Sequence, residues 1–302
     1  MVRAIRSVAG VLVAVLAWGA CGGSAATEST TLDVIAAFYP LAEAARKVGG
    51  SNVSVHDVTP AGVEPHDLEL KPSDVGRFRS ADVIFYLGGH FQTALEDAIE
   101  ALPDSSNAVD LLDGLPLRPG LDEDQPTDPH VWLDPQLMAR IVARIEEELA
   151  RRLDGARSTL AANRAAYVRS LEELDRDFKG VLATCTRREV VTSHAAFGYL
   201  TARYSLEQVP ISGITPESEP SPQRLQDVAT LAEQRGVTTI YFETLVDPRV
   251  AQSIARAVGA DTAVLNPIEG LTDEQRVEGE TYLTLMRDNL AALASGLGCR
   301  QG

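Results

Sequence analysis

The chain of 302 residues is 45% hydrophobic and 23% charged, proportions that suit a folded chain with a real core and, at this length, two domains. Its formal net charge is −16. That balance argues against a nucleic-acid partner, which needs basic patches, and is compatible with attraction of cations, although many proteins are acidic for solubility alone.

Arg3 and Arg6 precede the apolar run Val8 to Trp18, which has about the length of a signal-peptide core and is too short to span a bilayer. Residues 1–20 therefore read as a signal peptide, and the protein as exported. Removing them takes away two arginines and no acid, so the charge moves from −16 to −18. Gly19-Ala20-Cys21-Gly22-Gly23-Ser24 resembles a bacterial lipoprotein cleavage site, with Cys21 as the lipidated new N-terminus. Trp18 stands where such sites usually carry Leu, and the alternative is an ordinary secretory signal with an incidental thiol. One lipid signal gives limited membrane affinity, so a body held through a flexible tether, residues 21–30, is expected on the outer face of the cytoplasmic membrane or in the periplasm. No later segment has the apolar length of a membrane span.

Short β-branched runs then alternate with amphipathic stretches. Leu32–Ala36, Val53–Val58 and Val83–Leu87 read as strands, and the pattern restarts at Glu189–Thr192, Val209–Ile211, Val237–Phe242 and Thr262–Leu265. This alternation predicts an α/β fold of two lobes with mostly parallel sheets. A faint echo between the halves, Val34–Tyr39 against Val190–Tyr199, is too weak to define a repeat. Asp134-Pro135 is a helix start, an N-cap followed by a residue suited to the first turn, with Leu137, Ile141, Ile145 and Leu149 on the buried face. Tyr167, Leu171, Leu174, Phe178 and Val181 recur at helical spacing opposite a charged face, which predicts one stiff helix from about Arg157. Ser221-Pro222 and Asp247-Pro248 repeat the start signal. The expected organisation is an N-terminal lobe at 31–155, a linking helix at 156–184 and a C-terminal lobe at 185–302. With Cys21 lipidated, Cys185 and Cys299 remain, and in an oxidising compartment they are expected to pair across 114 positions.

Chemistry concentrates in three of the five histidines. His66 lies in Gly62-Val63-Glu64-Pro65-His66-Asp67 after a strand, His130 in Asp128-Pro129-His130 ahead of the Asp134-capped helix, and His194 at the end of Val190-Val191-Thr192-Ser193-His194. In open α/β sheets ligands collect beyond the carboxyl ends of strands, which places these histidines at the cleft between lobes. A single histidine in a turn is usually a surface or hydrogen-bonded residue. Three from separate loops make a removable site for a borderline ion such as Zn²⁺. The close-spaced Cys pairs of structural zinc sites do not occur here. His90 ends a strand near the same cleft, and His56 sits mid-strand, where packing or exposure explains it.

The segments Gly62–Asp74, Asp128–Pro135, Thr192–Tyr199, Thr239–Glu243 and Leu265-Asn266-Pro267-Ile268-Glu269-Gly270 resemble the zinc-binding substrate receptors of bacterial ABC importers, the cluster A-I family, over nearly the whole mature chain. The resemblance implies a two-lobed receptor with a rigid linking helix, which binds a transition metal outside the membrane and hands it to a permease with its ATPase. By motif position the ligands are His66, His130 and His194. Manganese-selective relatives tend to have a carboxylate at the third position, so His194 favours Zn²⁺, with Mn²⁺ second. The chain departs from the family in carrying Asn266 where an Asp is often the fourth ligand, which leaves Asn266, Glu243, Glu64 or water to complete the site. It also lacks the family's frequent His-rich loop; Leu115–Thr127 offers only Asp122, Glu123 and Asp124.

Two other classes share these residues. A zinc hydrolase would need a general acid or base, with Glu64 or Glu243 available, but no HExxH helix is present. A surface adhesin or metal chaperone without transport would use the same ligands. The expectation is a monomeric, non-enzymatic receptor.

Overall fold

The computed structural model describes Met1 and residues 31–120, 126–216 and 218–300. The signal segment, Cys21, the tether and Asp122–Asp124 lie outside those residues.

The first lobe is a sheet of four parallel strands, β1 (Leu32–Ala36), β2 (Val53–Asp57), β3 (Val83–Tyr86) and β4 (Ala108–Asp110), in the order β2-β1-β3-β4. Val34 stands opposite both Val55 and Val83. The central strands are covered on both faces, so Val34, Ile35, Ala36, Val83, Ile84 and Phe85 are all buried, as a parallel sheet between helices requires. Helices α1 (Tyr39–Gly49), α2 (Pro72–Ser80) and α3 (Thr93–Glu100) connect the strands, and α4 (Pro135–Arg152) follows the loop beyond β4. Asp134 caps α4 as its sequence predicts, accepting a hydrogen bond from the Gln136 N–H at 2.8 Å. The helix buries Leu137, Met138, Ile141, Val142, Ile145 and Leu149.

Helix α5 (Arg157–Leu182) is the long connector, 26 residues and so about 39 Å. It buries Leu160, Tyr167, Leu171, Leu174, Phe178 and Leu182 against α1, α4 and the last helix. Its Asp175 is buried yet multiply bonded: the carboxylate accepts from Arg203 Nε at 2.6 Å, Lys179 Nζ at 2.8 Å and Tyr204 Oη at 3.1 Å. Burial alone would raise this carboxyl; those donors outweigh it and hold it at about 2.

The second lobe repeats the topology. Strands β5 (Glu189–Thr192), β6 (Glu207–Pro210), β7 (Thr239–Phe242) and β8 (Asp261–Val264) are parallel in the order β6-β5-β7-β8, so β5 holds the place of β1. The weak sequence echo at these two strands thus marks equivalent positions. Helices α6 (Gly198–Arg203), α7 (Pro222–Arg235), α8 (Arg249–Val258), α9 (Asp273–Glu278) and α10 (Tyr282–Gly296) complete it. Ser221 caps α7, whereas α8 starts one residue later than Asp247-Pro248 suggests, with Pro248 at the cap and Asp247 accepting from the Arg249 N–H at 3.0 Å.

One apolar core runs from the first sheet through α5 into Phe197, Tyr241, Tyr282 and Leu293, so both lobes share it; a smaller core holds Val191, Val209, Ile240 and Ile254. Cys185 and Cys299 form a disulfide that fastens the chain just beyond α10 to the segment between α5 and β5. Among the described residues no helix is long and apolar enough to cross a membrane.

Candidate metal centre

Four loops leave the two sheets at neighbouring carboxyl ends and converge. After β2 the chain makes a short turn at Pro65–Asp67, where Glu64 accepts a hydrogen bond from the His66 N–H at 2.8 Å and fixes the His66 backbone. Ahead of α4, Asp128 Oδ1 accepts from the His130 N–H at 3.0 Å and lies 2.8 Å from His130 Nδ1, so one carboxylate oxygen holds both backbone and ring. After β5, Glu243 does the same for His194: its Oε1 is 3.2 Å from the backbone nitrogen and 2.8 Å from Nδ1. For His130 and His194 the carboxylate on Nδ1 directs Nε2 inward.

The fourth arm follows β8. Asn266 Oδ1 accepts from the Ile268 N–H at 2.8 Å, and Asn289 bonds both the N–H and the C=O of Asn266, at 2.7 and 2.6 Å. Ile268 takes a left-handed φ of 60°, and Trp132 of the first lobe donates Nε1–H to the Pro267 carbonyl at 2.7 Å. The loop so shaped delivers Glu269. Its Oε1 stands 3.2 Å from His130 Nε2, 3.4 Å from His194 Nε2 and 3.7 Å from His66 Nε2, while the Nε2 atoms of His130 and His194 are 3.4 Å apart. One donor atom from each of the four residues lies within 4.8 Å of all the others. His130 and His194 are fully buried, Glu269 is 2% exposed and the His66 side chain 2%. Phe91 meets the His66 ring edge-on at 4.7 Å, and Trp132 packs on His130 at 5.1 Å, making the wall of the site apolar.

Charge balance follows from those contacts. Burial lowers the His66 pKa, which Glu269 only partly offsets. For His130 burial acts the same way, but Asp128 and Glu269 outweigh it and raise the pKa. His194, facing Glu243 and Glu269, is raised well above the ordinary histidine value despite its burial. Burial would raise the Glu269 carboxyl, yet the surrounding histidines hold it well below the usual carboxylate range. Glu269 thus favours protonation of His130 and His194, and a cation entering the cluster competes with protons there.

The structure brings His66, His130 and His194 together, and the fourth donor beside them is Glu269, not Asn266, Glu243 or Glu64. Glu243 is spent on the Nδ1 side of His194, Asn266 shapes its own loop, and Glu64 holds the His66 backbone. Glu269 was missed, as was the role of Asp128. His90, at φ 64°, directs its N–H to Glu96 Oε2 at 3.2 Å, and His56 is half-buried in β2; neither joins the cluster.

Residues 34–296 match the family model described as zinc-uptake complex component A, periplasmic. The chain belongs to this family. Among relatives of the zinc-uptake family, the high-affinity zinc uptake system protein ZnuA of Bacillus subtilis (strain 168) is 32% identical over 296 residues, covering 92% of this chain and 93% of that protein. The zinc-binding lipoprotein AdcA of Streptococcus pneumoniae (strain ATCC BAA-255 / R6) is 32% identical over 275 residues, covering 87% of this chain but 55% of the relative, so the chain spans about half the length of that protein. Among solved structures, the Zn(II)-bound ZnuA-like domain of Streptococcus pneumoniae AdcA superposes with a TM-score of 0.78 at 32% identity, covering 88% of this chain and 99% of that one.

Proposed function

We propose that this chain is an extracytoplasmic receptor that captures Zn²⁺ with His66, His130, His194 and Glu269 and delivers it to an ABC permease with its ATPase. One observation carries the reading. Four donors at 2.0 to 2.1 Å from a tetrahedral zinc stand about 3.3 to 3.4 Å from one another. Four of the six separations within the cluster are 3.2, 3.4, 3.4 and 3.7 Å, and all six lie within 4.8 Å. The spacing supports a cage of tetrahedral zinc size, and three imidazoles favour zinc over manganese, which prefers oxygen donors. Glu269 removes one unit of the cargo's charge, which three neutral imidazoles alone would leave at +2.

The same geometry weighs against a hydrolase. Catalytic zinc keeps an open position for water, and here Glu269 fills the fourth place, while the carboxylates proposed as general bases already hold His66 and His194. The shared apolar core and the rigid α5 support capture by small adjustments of the lobes, taken as 31–155 and 185–302 around the 156–184 connector. Anchoring through Cys21 is supported by the lipoprotein name of the pneumococcal relative. The test has two parts. Purified protein offered zinc and manganese in competition is expected to retain one zinc; retention of manganese or of neither metal refutes the cargo. A deletion strain is expected to grow poorly under zinc starvation; normal growth with intact zinc binding favours the adhesin or chaperone alternative.

A further inference from the structure

We propose that Gly198, the first residue of α6 in the second lobe, is a positioning residue for the metal centre, because its missing side chain leaves room for the carboxylate of Asp128 in the first. The inference rests on His130 being a zinc ligand. A β-carbon built at Gly198 would stand 2.7 Å from Asp128 Oδ2, well inside any real contact. The next residue completes the clamp. Tyr199 donates its hydroxyl hydrogen to the Asp128 carbonyl at 2.9 Å and accepts from the Arg118 N–H at 2.8 Å, and the Asp128 N–H in turn bonds the Arg118 carbonyl at 3.1 Å. The Asp128 backbone is thus fixed from both sides, and its Oδ2 fills the space a side chain at Gly198 would need while Oδ1 holds His130.

The arrangement couples the two lobes at the point where it matters for metal. His194 is followed directly by Ala195–Phe197 and Gly198, so the segment that presents one ligand also seats the carboxylate that orients another. If a methyl group is added at Gly198, the part of the surroundings freest to yield is the Asp128 carboxylate, since its backbone is held. The fold would survive and His130 would lose its partner. Changes to such outer partners typically lower metal affinity about 10- to 100-fold.

The experiment is a double-mutant cycle on the full chain, reading zinc affinity by competition with a chelator and folding by thermal melting. Gly198→Ala is expected to weaken zinc binding about tenfold, Asp128→Ala about 10- to 100-fold, and Gly198→Ala in the Asp128→Ala background by less than about twofold further. Gly180→Ala, in α5 with nothing near its side-chain position, is the control and should leave zinc affinity unchanged. A residue that merely supports the fold would add its cost in both backgrounds, and that result overturns the inference, as does an unchanged affinity for Gly198→Ala. If Gly198→Ala alone does not fold, the double variant, in which the contact is relieved, is expected to fold and to match Asp128→Ala; an unfolded double variant also overturns it. Wild-type protein that binds no zinc would instead sink the ligand assignment itself.

Discussion

Replacing Glu269 by Gln keeps the shape of the side chain and removes the one negative charge among the four donors, so it separates charge from packing. Glu269 lies within 3.4 Å of the Nε2 atoms of both His130 and His194, which are only 3.4 Å apart. Two imidazolium charges at that separation repel by about 5 kcal/mol at an effective dielectric constant of about 20, and the carboxylate offsets this. Without it, protonation of both imidazoles is disfavoured. Two consequences follow for zinc. The ion loses its only anionic ligand, and a cost above the usual outer-partner effect, at least about 100-fold or ~2.7 kcal/mol, is expected near pH 8. Fewer protons are displaced on binding, so the penalty should shrink as pH falls into the range where the wild type pays to release them. Calorimetry in buffers of different ionisation enthalpy measures both quantities. An affinity within about threefold of wild type, together with an unchanged proton count, would refute the assignment of Glu269.

His66→Ala, His130→Ala and His194→Ala are each expected to lower zinc affinity at least about tenfold by calorimetry, and any of the three that binds normally is not a ligand. Zinc affinity should fall as pH drops, and the fall should begin above the ordinary histidine value of about 6.5, because His130 and His194 are raised while His66 is lowered; a flat profile between about pH 5 and 8 contradicts imidazole ligation. The sign reverses for the stability of the metal-free protein. Groups with raised folded pKa values stabilise fully below the unfolded value of about 6.5, and their contribution fades as pH rises through the folded ones, so zinc should protect most strongly in melts on the alkaline side. Cys185→Ser opens a loop of 114 positions and should cost about 2 to 4 kcal/mol, a Tm lower by roughly 5 to 15 °C; an unchanged Tm would show that the bond contributes nothing.

Much of this was legible before any coordinates. The runs Leu32–Ala36 and Glu189–Thr192 are strands to the residue, because each centres on a short buried β-branched pair, Val34-Ile35 or Val190-Val191, as a central strand of a parallel sheet requires. β4 was not seen: Ala-Val-Asp is too short to carry a period, and pairing with β3 makes it a strand. The histidines stood out because polar turns at strand ends rarely need them. Glu269 was hidden by its approach. A β-branched residue, Ile268, adopts a left-handed conformation that its type disfavours, and the turn depends on Asn289, which lies 23 positions beyond Asn266. A long-range contact of that kind leaves no local signal. Asp128 did leave one, since an acid two residues before His130 is placed to bond both its N–H and its ring.

The central claim is that three imidazoles and one carboxylate surround a single zinc ion. X-ray absorption at the zinc edge of protein loaded with one equivalent reads that shell directly. The account predicts four light-atom neighbours at about 2.0 to 2.1 Å with scattering from three imidazole rings and no sulfur. A shell with one imidazole or none, or six oxygens at longer distance, would contradict it.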